Sequence, residues 1–318
     1  MLNFNTDDLD PKDRFDHWCE VRGKNLFGVT IELPREQRAK FQGRFSAKPL
    51  GGAVVSEMQA SSYHLSRTPA DIARVSGNSL CVSLQVRGPG LLDIGQDRIQ
   101  AVRNGDLLIS HSDLPYSATP HGTGGFEFVM LKIPLAGDIV LGAPAHDLVA
   151  ERVAESATYL RPISALFNAL TRPSPQMSDP ATEITHIARL AMLVRGHLMV
   201  NLPEIRAALR SGFLHAAREI MVRDLPRQNL SPIMLATELG ISLRQLHVLF
   251  EPTGFSFSRT LTTMRLEEAC RLLKVMHTRP VTEIAFLSGF DSLATFYRAF
   301  RHAHGMTPGD MRAMSSED

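Results

Sequence analysis

Residues 236–250 read ATELGISLRQLHVLF, and residues 285–300 read AFLSGFDSLATFYRAF. Each stretch sets alanine four residues before glycine, places a polar residue soon after the glycine, and closes on an apolar run ending in phenylalanine. A helix-turn-helix needs this order: a small residue where the second helix crosses the first, and a residue in the turn that tolerates a left-handed backbone. Ala236, Gly240 and Leu246 fit the crossing contact, the turn and the anchor of the second helix. Ala285, Gly289 and Phe296 repeat them, with the anchor one residue later. Phe250 precedes Gly254 as Phe300 precedes Gly305. Between the copies, SFSRTLTTMRLEEACRLLKVM from Ser256 predicts a long amphipathic helix with Leu261, Met264, Leu266, Ala269, Leu272 and Leu273 on its apolar face. Ser242 with Gln245 has the form of a capping box, Asp291 or Ser292 can cap the corresponding helix, and Thr307-Pro308 opens a short last helix.

Outward from this region, composition sets limits. The chain has 318 residues, 44% hydrophobic and 21% charged, enough for two cores of ordinary size. A formal net charge of +1 gives no global field for a polyanion, so any such argument must be local. The first residues, MLNFNTDDLDPKDRFDHW, lack a basic segment followed by an apolar core, and no run of about eighteen apolar residues occurs; a cytoplasmic location with no membrane partner is expected. Cys19, Cys81 and Cys270 have no CxxC or Cys/His spacing, so they read as buried thiols rather than disulfides or zinc ligands.

The texture changes along the chain. From Leu26 to about Leu135, short apolar runs alternate with Gly, Pro, Asn and Asp. Cys81, Ser83 and Gln85 alternate with Val82, Leu84 and Val86 at a period of two, and GPG at Gly88 and NGD at Asn104 are turn chemistry. Turn signals about every ten residues predict a barrel or sandwich rather than a parallel sheet. Beyond Glu151 the pattern is helical: a helix within AESATYLRPISALFNALT, broken or begun at Pro162, a loop at RPSPQMSDP, and a helix from Asp179 to Asn201. Ile184, Ile187, Ala191, Val194 and Leu198 form a heptad-like seam on that helix. The seam either pairs with its twin in a homodimer or packs on the chain's own β-core.

From about Phe213 to Met314 the chain resembles the DNA-binding domain of the AraC/XylS transcriptional regulators. The resemblance rests on LATELGISLRQLHVLF, RLEEACRLL, VTEIAFLSGFDSLATFYRAFRHAHGMTP and the final Met311-Arg312, about a third of the chain. The amino-terminal half is similar, more loosely, to the cupin-like sensor half of XylS- and FeaR-type members, notably at NGDLLISHSDLPY. The fold so implied is α+β: an N-terminal β-rich cupin-like barrel with flanking helices over 1–204, a linker over 205–211, and an all-α domain with two helix-turn-helix motifs over 212–318, whose seven helices carry both motifs about one long helix. The function implied is sequence-specific binding of promoter or operator DNA, with activation the commoner outcome in this family and RNA polymerase a partner.

The resemblance places DNA contacts on the second helix of each motif, at Ser242, Leu243, Arg244, His247 and Val248, and at Ser292, Leu293, Ala294, Thr295, Tyr297, Arg298 and Arg301. Arg244 and Arg298 are the foremost base readers, because a guanidinium grips guanine O6 and N7 with two hydrogen bonds; phosphate contact or solvation is the plain alternative for either. Gln245 is held back by its cap. Glu251 and Pro252 stand where many members carry cations. Eight Lys/Arg against five Asp/Glu between Gly240 and His304 is a modest surplus, so the second motif is expected to supply more phosphate affinity and a second subunit or adjacent site to be needed.

The β-region bears on sensing. His64, His111 and His121 lie there without the HxH pair of a cupin metal site, so no catalytic residue, metal or cofactor is expected. A mostly apolar ligand pocket with a few polar groups is the stronger expectation, and Trp18, Ser83, Gln85, Arg87, His111 and Tyr116 are its candidate lining for a small-molecule effector. Two alternatives stand beside it: a metal-dependent cupin enzyme fused to a DNA-binding domain, and an amino-terminal half that only dimerises or binds another protein. Family precedents run to small aromatic or aliphatic acids and amines, and the sequence does not choose between them.

Overall fold

The computed structural model describes residues 1–122, 124–172 and 179–314, and the chain divides into two compact units, Met1–Gly212 and Phe213–Asp318.

The first unit is built on two antiparallel sheets. Strands β1 (Leu2–Asn5), β2 (Thr30–Glu32), β3 (Gly43–Leu50), β4 (Ala53–Ala60), β5 (His64–Arg67) and β6 (Ser79–Arg87) are followed by β7 (Gly90–Asp93), β8 (Ile99–Val102), β9 (Leu107–His111), β10 (Tyr116–Pro120), β11 (Phe126–Pro134) and β12 (Glu151–Arg152). Seven of them form one sheet in the order β1-β3-β4-β11-β6-β9-β12, and five form the other in the order β2-β5-β10-β7-β8. The cupin-like β-rich domain is therefore two separate sheets, not one closed barrel. Each ladder ends in a short strand of two to four residues, which leaves little edge to pair further.

The period of two read at residues 81–86 is the pleat of β6. Its neighbour β11 follows the same rule: Leu131 and Ile133 are buried on one face, while Phe126, Phe128, Met130 and Lys132 are half-buried. Register sets Lys132 opposite Cys81, Met130 opposite Ser83 and Phe128 opposite Gln85. Trp18 ends helix α1 (Arg14–Trp18) in an aromatic cluster with Phe15, Phe41, Phe45 and Tyr63; it is fully buried, with its ring centroid 5.6 Å from that of Phe41.

Short helices α2 (Arg35–Arg38), α3 (Pro69–Arg74) and α4 (Gly137–Val140) precede two longer ones, α5 (Leu160–Thr171) and α6 (Pro180–Val194). Pro162 sits in the first turn of α5, where no intrahelical N–H is lost. Asp179 caps α6 by accepting from the N–H groups of Ala181 and Thr182. The helix stops at Val194 rather than Asn201, because the left-handed Gly196 closes it: Gly196 N–H bonds Leu193 O, and His197 N–H bonds Met192 O. The heptad-like seam packs within its own unit, the second of the two arrangements expected for it. Ile184, Ile187 and Ala191 are at most 3% exposed, Leu198 is buried beyond the helix end, and Val194 is half-buried. Residues 205–211, read as a linker, lie within helix α7 (Pro203–Arg223). Residues 173–178, most of the RPSPQMSDP loop, lie outside the described residues.

The second unit holds the end of α7 and then α8 (Pro232–Leu239), α9 (Leu243–Phe250), α10 (Phe257–Val275), α11 (Val281–Leu287), α12 (Leu293–His304) and α13 (Pro308–Met314). Leu266, Ala269, Leu272 and Leu273 of α10 pack with Ile284, Ala285, Phe290, Phe296 and Phe300, so the long helix forms the core of the second motif. Leu235, Ala236, Leu239, Leu246, Leu249 and Phe250 are the buried side chains of α8 and α9.

Candidate functional site

Between α8 and the helical stretch that begins at Leu243, the chain turns by 102°, within the range of a helix-turn-helix. Gly240 makes this turn at φ +68° and Gly289 makes its counterpart at +89°. The second turn has one residue more before its capping serine, and this insertion explains the later anchor: Leu246 and Phe296 each lie four residues past Ser242 and Ser292. At α9 the capping box is complete. Gln245 N–H donates to Ser242 Oγ at 3.2 Å, and Gln245 Oε1 accepts from Ser242 N–H at 2.8 Å. At α12 only Ser292 acts, accepting from Thr295 N–H at 3.4 Å. Asp291 does not cap.

Both second helices are amphipathic. In α9 Ser242, Leu243, Arg244 and His247 are exposed and Val248 is half-buried, over the buried Leu246 and Leu249. In α12 Ala294, Thr295, Tyr297, Arg298 and Arg301 are exposed, Ser292 and Leu293 are half-buried, and Phe296 and Phe300 are fully buried. Tyr297, Arg298, Arg301 and His302 together edge a surface concavity. Several other cations of this region are already engaged. Arg271 pairs with Glu268, Arg279 with Glu283, and Arg265 Nη2 donates to Arg227 O at 2.7 Å. Arg244 and Arg298 make no ion pair among the described residues.

The first unit contains a cavity of about 210 Å³ lined from both sheets. Of the six residues expected to line it, Ser83, Gln85, His111 and Tyr116 do so. Trp18 does not: it is fully buried in the aromatic cluster. Arg87 does not either, because its guanidinium turns outward to Gly124 O at 3.0 Å and to Glu127. Gln85 lines the wall with its amide engaged, its Nε2 donating to Arg87 O at 2.8 Å and Gly88 O at 2.7 Å.

One end of the cavity is polar. Arg67, only 5% exposed, donates to Ser112 O at 2.5 Å, to Phe27 O and Gly28 O at 2.6 Å, to Val75 O at 2.7 Å and to Asp113 at 3.4 Å. Asp113 also accepts from the N–H groups of Gly77 and Asn78 and the hydroxyls of Ser76 and Ser112. Burial pushes this carboxyl up, but those donors outweigh it and hold it well below the usual carboxylate range. His111 is pushed down by burial, against the pull of Asp113. Its Nδ1 accepts from Asp113 N–H at 3.0 Å, so the proton sits on Nε2, 3.3 Å from Asn78 Oδ1. Burial also pushes the Cys81 thiol up to about 11 despite the nearby charges of Lys132 and Arg67, which makes it a poor nucleophile. His64 bonds Thr119 through Nδ1 at 3.0 Å; among the described residues no three His, Cys, Asp or Glu side chains gather as metal ligands.

Sequence reasoning missed Arg67, Phe126, Phe128, Met130 and Lys132, all of which line the cavity. The alternation in FEFVMLK was the available signal for the four on β11. Nothing local marked Arg67, whose partners are mostly 39 to 46 residues away.

A β-domain with a cavity between its sheets and a helical domain with two exposed, serine-capped second helices define a DNA-binding regulator of transcription with a separate sensor-type domain. Residues 18–199 match the AraC-binding-like domain and residues 235–314 the AraC-type helix-turn-helix domain. The chain belongs to the AraC family of transcriptional regulators. It is 23% identical over 321 residues to the transcriptional activator NphR of Rhodococcus sp, covering 97% of this chain and 92% of that one. It is 29% identical over 176 residues to the HTH-type transcriptional regulator GlxA of Rhizobium meliloti (strain 1021), covering 54% of this chain and 45% of that one. Among solved structures, the AraC-like transcriptional activator CuxR superposes with a TM-score of 0.46 at 17% identity, covering 84% of this chain and 94% of that one.

Proposed function

We propose that the chain activates transcription by reading two successive major-groove segments with α9 and α12, under the control of a small molecule bound in the cavity of the first unit. The observation that carries this is the pair of exposed, serine-capped helices in one unit, each presenting an arginine without an ion-pair partner among the described residues. Two such helices can address stretches about one helical turn, roughly 34 Å, apart on one face of a duplex. Arg244 and Arg298 are the base readers; Ser242, Leu243, His247, Val248, Ser292, Leu293, Ala294, Thr295, Tyr297 and Arg301 complete the two contact faces. Activation is supported by the activator name of the relative that matches along almost the whole chain. An effector that binds one conformation better shifts the population able to engage DNA and RNA polymerase. Footprinting on promoter DNA next to the chain's own gene should protect two patches one turn apart, and a single short patch refutes the double reading. In gel shifts, Arg298→Ala should weaken specific binding by roughly 1–3 kcal/mol, and unchanged affinity removes that residue from base reading.

A further inference from the structure

The cavity wall carries two cations, Arg67 and Lys132, and one histidine, His111, and no carboxylate. Two of the three are committed. Arg67 is wrapped by four backbone carbonyls and Asp113, and His111 bridges Asp113 N–H and Asn78. Lys132 differs: among the described residues its ammonium makes no hydrogen bond or ion pair. It stands on the cavity-facing row of β11, directly opposite Cys81, and its Nζ lies over Gly77, next to Ser112. Asp113, the carboxylate of this end, is already saturated by its own donors. A half-buried ammonium facing an apolar space without a counter-charge is unfavourable, and the imbalance is removed when a bound molecule brings one negative charge.

The rest of the wall fixes what carries that charge. Phe126, Phe128 and Met130 continue the same row away from Lys132, and Leu65, Leu92, Val102 and Ala118 come from the second sheet. A cavity of roughly 150 Å³ accommodates benzene. The volume of about 210 Å³ here therefore suits one ring with a short side chain, or an aliphatic chain of similar bulk.

We infer that the effector is a small organic monocarboxylate, with its carboxylate on Lys132 Nζ beside Ser110 and Ser112 and its apolar body against Phe126, Phe128 and Met130. This rests on the reading of the cavity as the effector site. It selects acids over amines, because an amine would meet Lys132 and Arg67 with no carboxylate in the wall to receive it.

The test uses the full chain and three series of equal bulk: benzoate, phenylacetate, 3-phenylpropanoate and hexanoate; their primary amides; and the matching amines. Binding is followed by thermal shift and calorimetry. The best acid should bind roughly ten- to a hundredfold tighter than its amide, the worth of one charge-assisted bond in a desolvated site, and the amines should not bind. Lys132→Met should abolish the preference for acid over amide, and Lys132→Arg should retain it. Amides or amines that bind as tightly as the acids overturn the acid assignment and leave the cavity as the effector site. If no series binds, both readings fall. An acid preference that survives in a folded Lys132→Met protein overturns the role of Lys132. The comparison of acid with amide on the unaltered chain decides the acid assignment even if that variant does not fold.

Discussion

The two turn glycines permit a matched experiment within one domain. Gly240 and Gly289 share a left-handed backbone, at φ +68° and +89°, so alanine at either position costs roughly 1–2 kcal/mol on conformational grounds alone. Their surroundings differ. A Cβ on Gly240 meets nothing within 4 Å, whereas a Cβ on Gly289 would lie 2.1 Å from Leu225 O and 2.8 Å from Arg265 Nε. Leu225 O cannot retreat easily, since it is backbone and accepts from Arg265 Nε at 3.4 Å. Overpacking of this kind adds roughly 1–3 kcal/mol, so Gly289→Ala should lose about 2–5 kcal/mol against about 1–2 for Gly240→Ala. Urea unfolding followed by helical circular dichroism reads both, with the slope held in common. For a domain of about 100 residues the larger loss corresponds to a fall in Tm of roughly 4–8 °C per kcal/mol. Equal losses at the two positions, or a larger loss at Gly240, would falsify the argument that contact with the α7–α8 connection, rather than φ alone, fixes the second turn.

Other outcomes follow from the cavity's polar end and from the caps. Asp71, tied to Thr68 and Thr30 hydroxyls and to Arg74, and Asp113 both have carboxyl pKa values depressed by folding. Their contribution is fully present above the unfolded value of about 4 and is lost as pH falls through the lower folded values. Asp113→Asn should therefore flatten the acid limb of stability below about pH 4; the emission of Trp18, the sole tryptophan, reports it, and an unchanged acid limb refutes the assignment. Arg67→Met leaves Asp113 and four carbonyls without their cation and should destabilise the first unit by roughly 3–5 kcal/mol; a loss under about 1 kcal/mol in denaturant titration contradicts this. Ser242→Ala should cost about 1 kcal/mol in the second unit, and a neutral result means that the box does not hold α9 in solution.

The helical unit was legible because its determinants are local. Ala236, Gly240, Ser242 and Gln245 act on one another within ten residues, as do Ala285, Gly289 and Ser292, and spacing alone reveals them. The sensor unit obeys longer-range rules. Ser83 could be placed on the cavity wall because its strand alternates, yet Lys132 reaches Cys81 only through a ladder across 51 positions of sequence. Trp18 looked like a lining aromatic and is instead the plug of a cluster drawn from α1, β3 and the loop at Phe41. The seam on α6 shows the limit of periodicity: Ile184, Ile187 and Ala191 declare an apolar stripe, but nothing in the stripe says whether its cover comes from the same chain or another.

The reciprocal cap at the start of α9 bears on how the protein could acquire new operators. Gln245 stands where a randomised library would seek fresh base preference, yet its amide already fastens the helix start to Ser242, so variants there trade altered readout against a frayed helix. Thr295, its counterpart in α12, contributes only its backbone to the cap. Retargeting by drift or by selection should accordingly accumulate substitutions in α12 sooner than in α9.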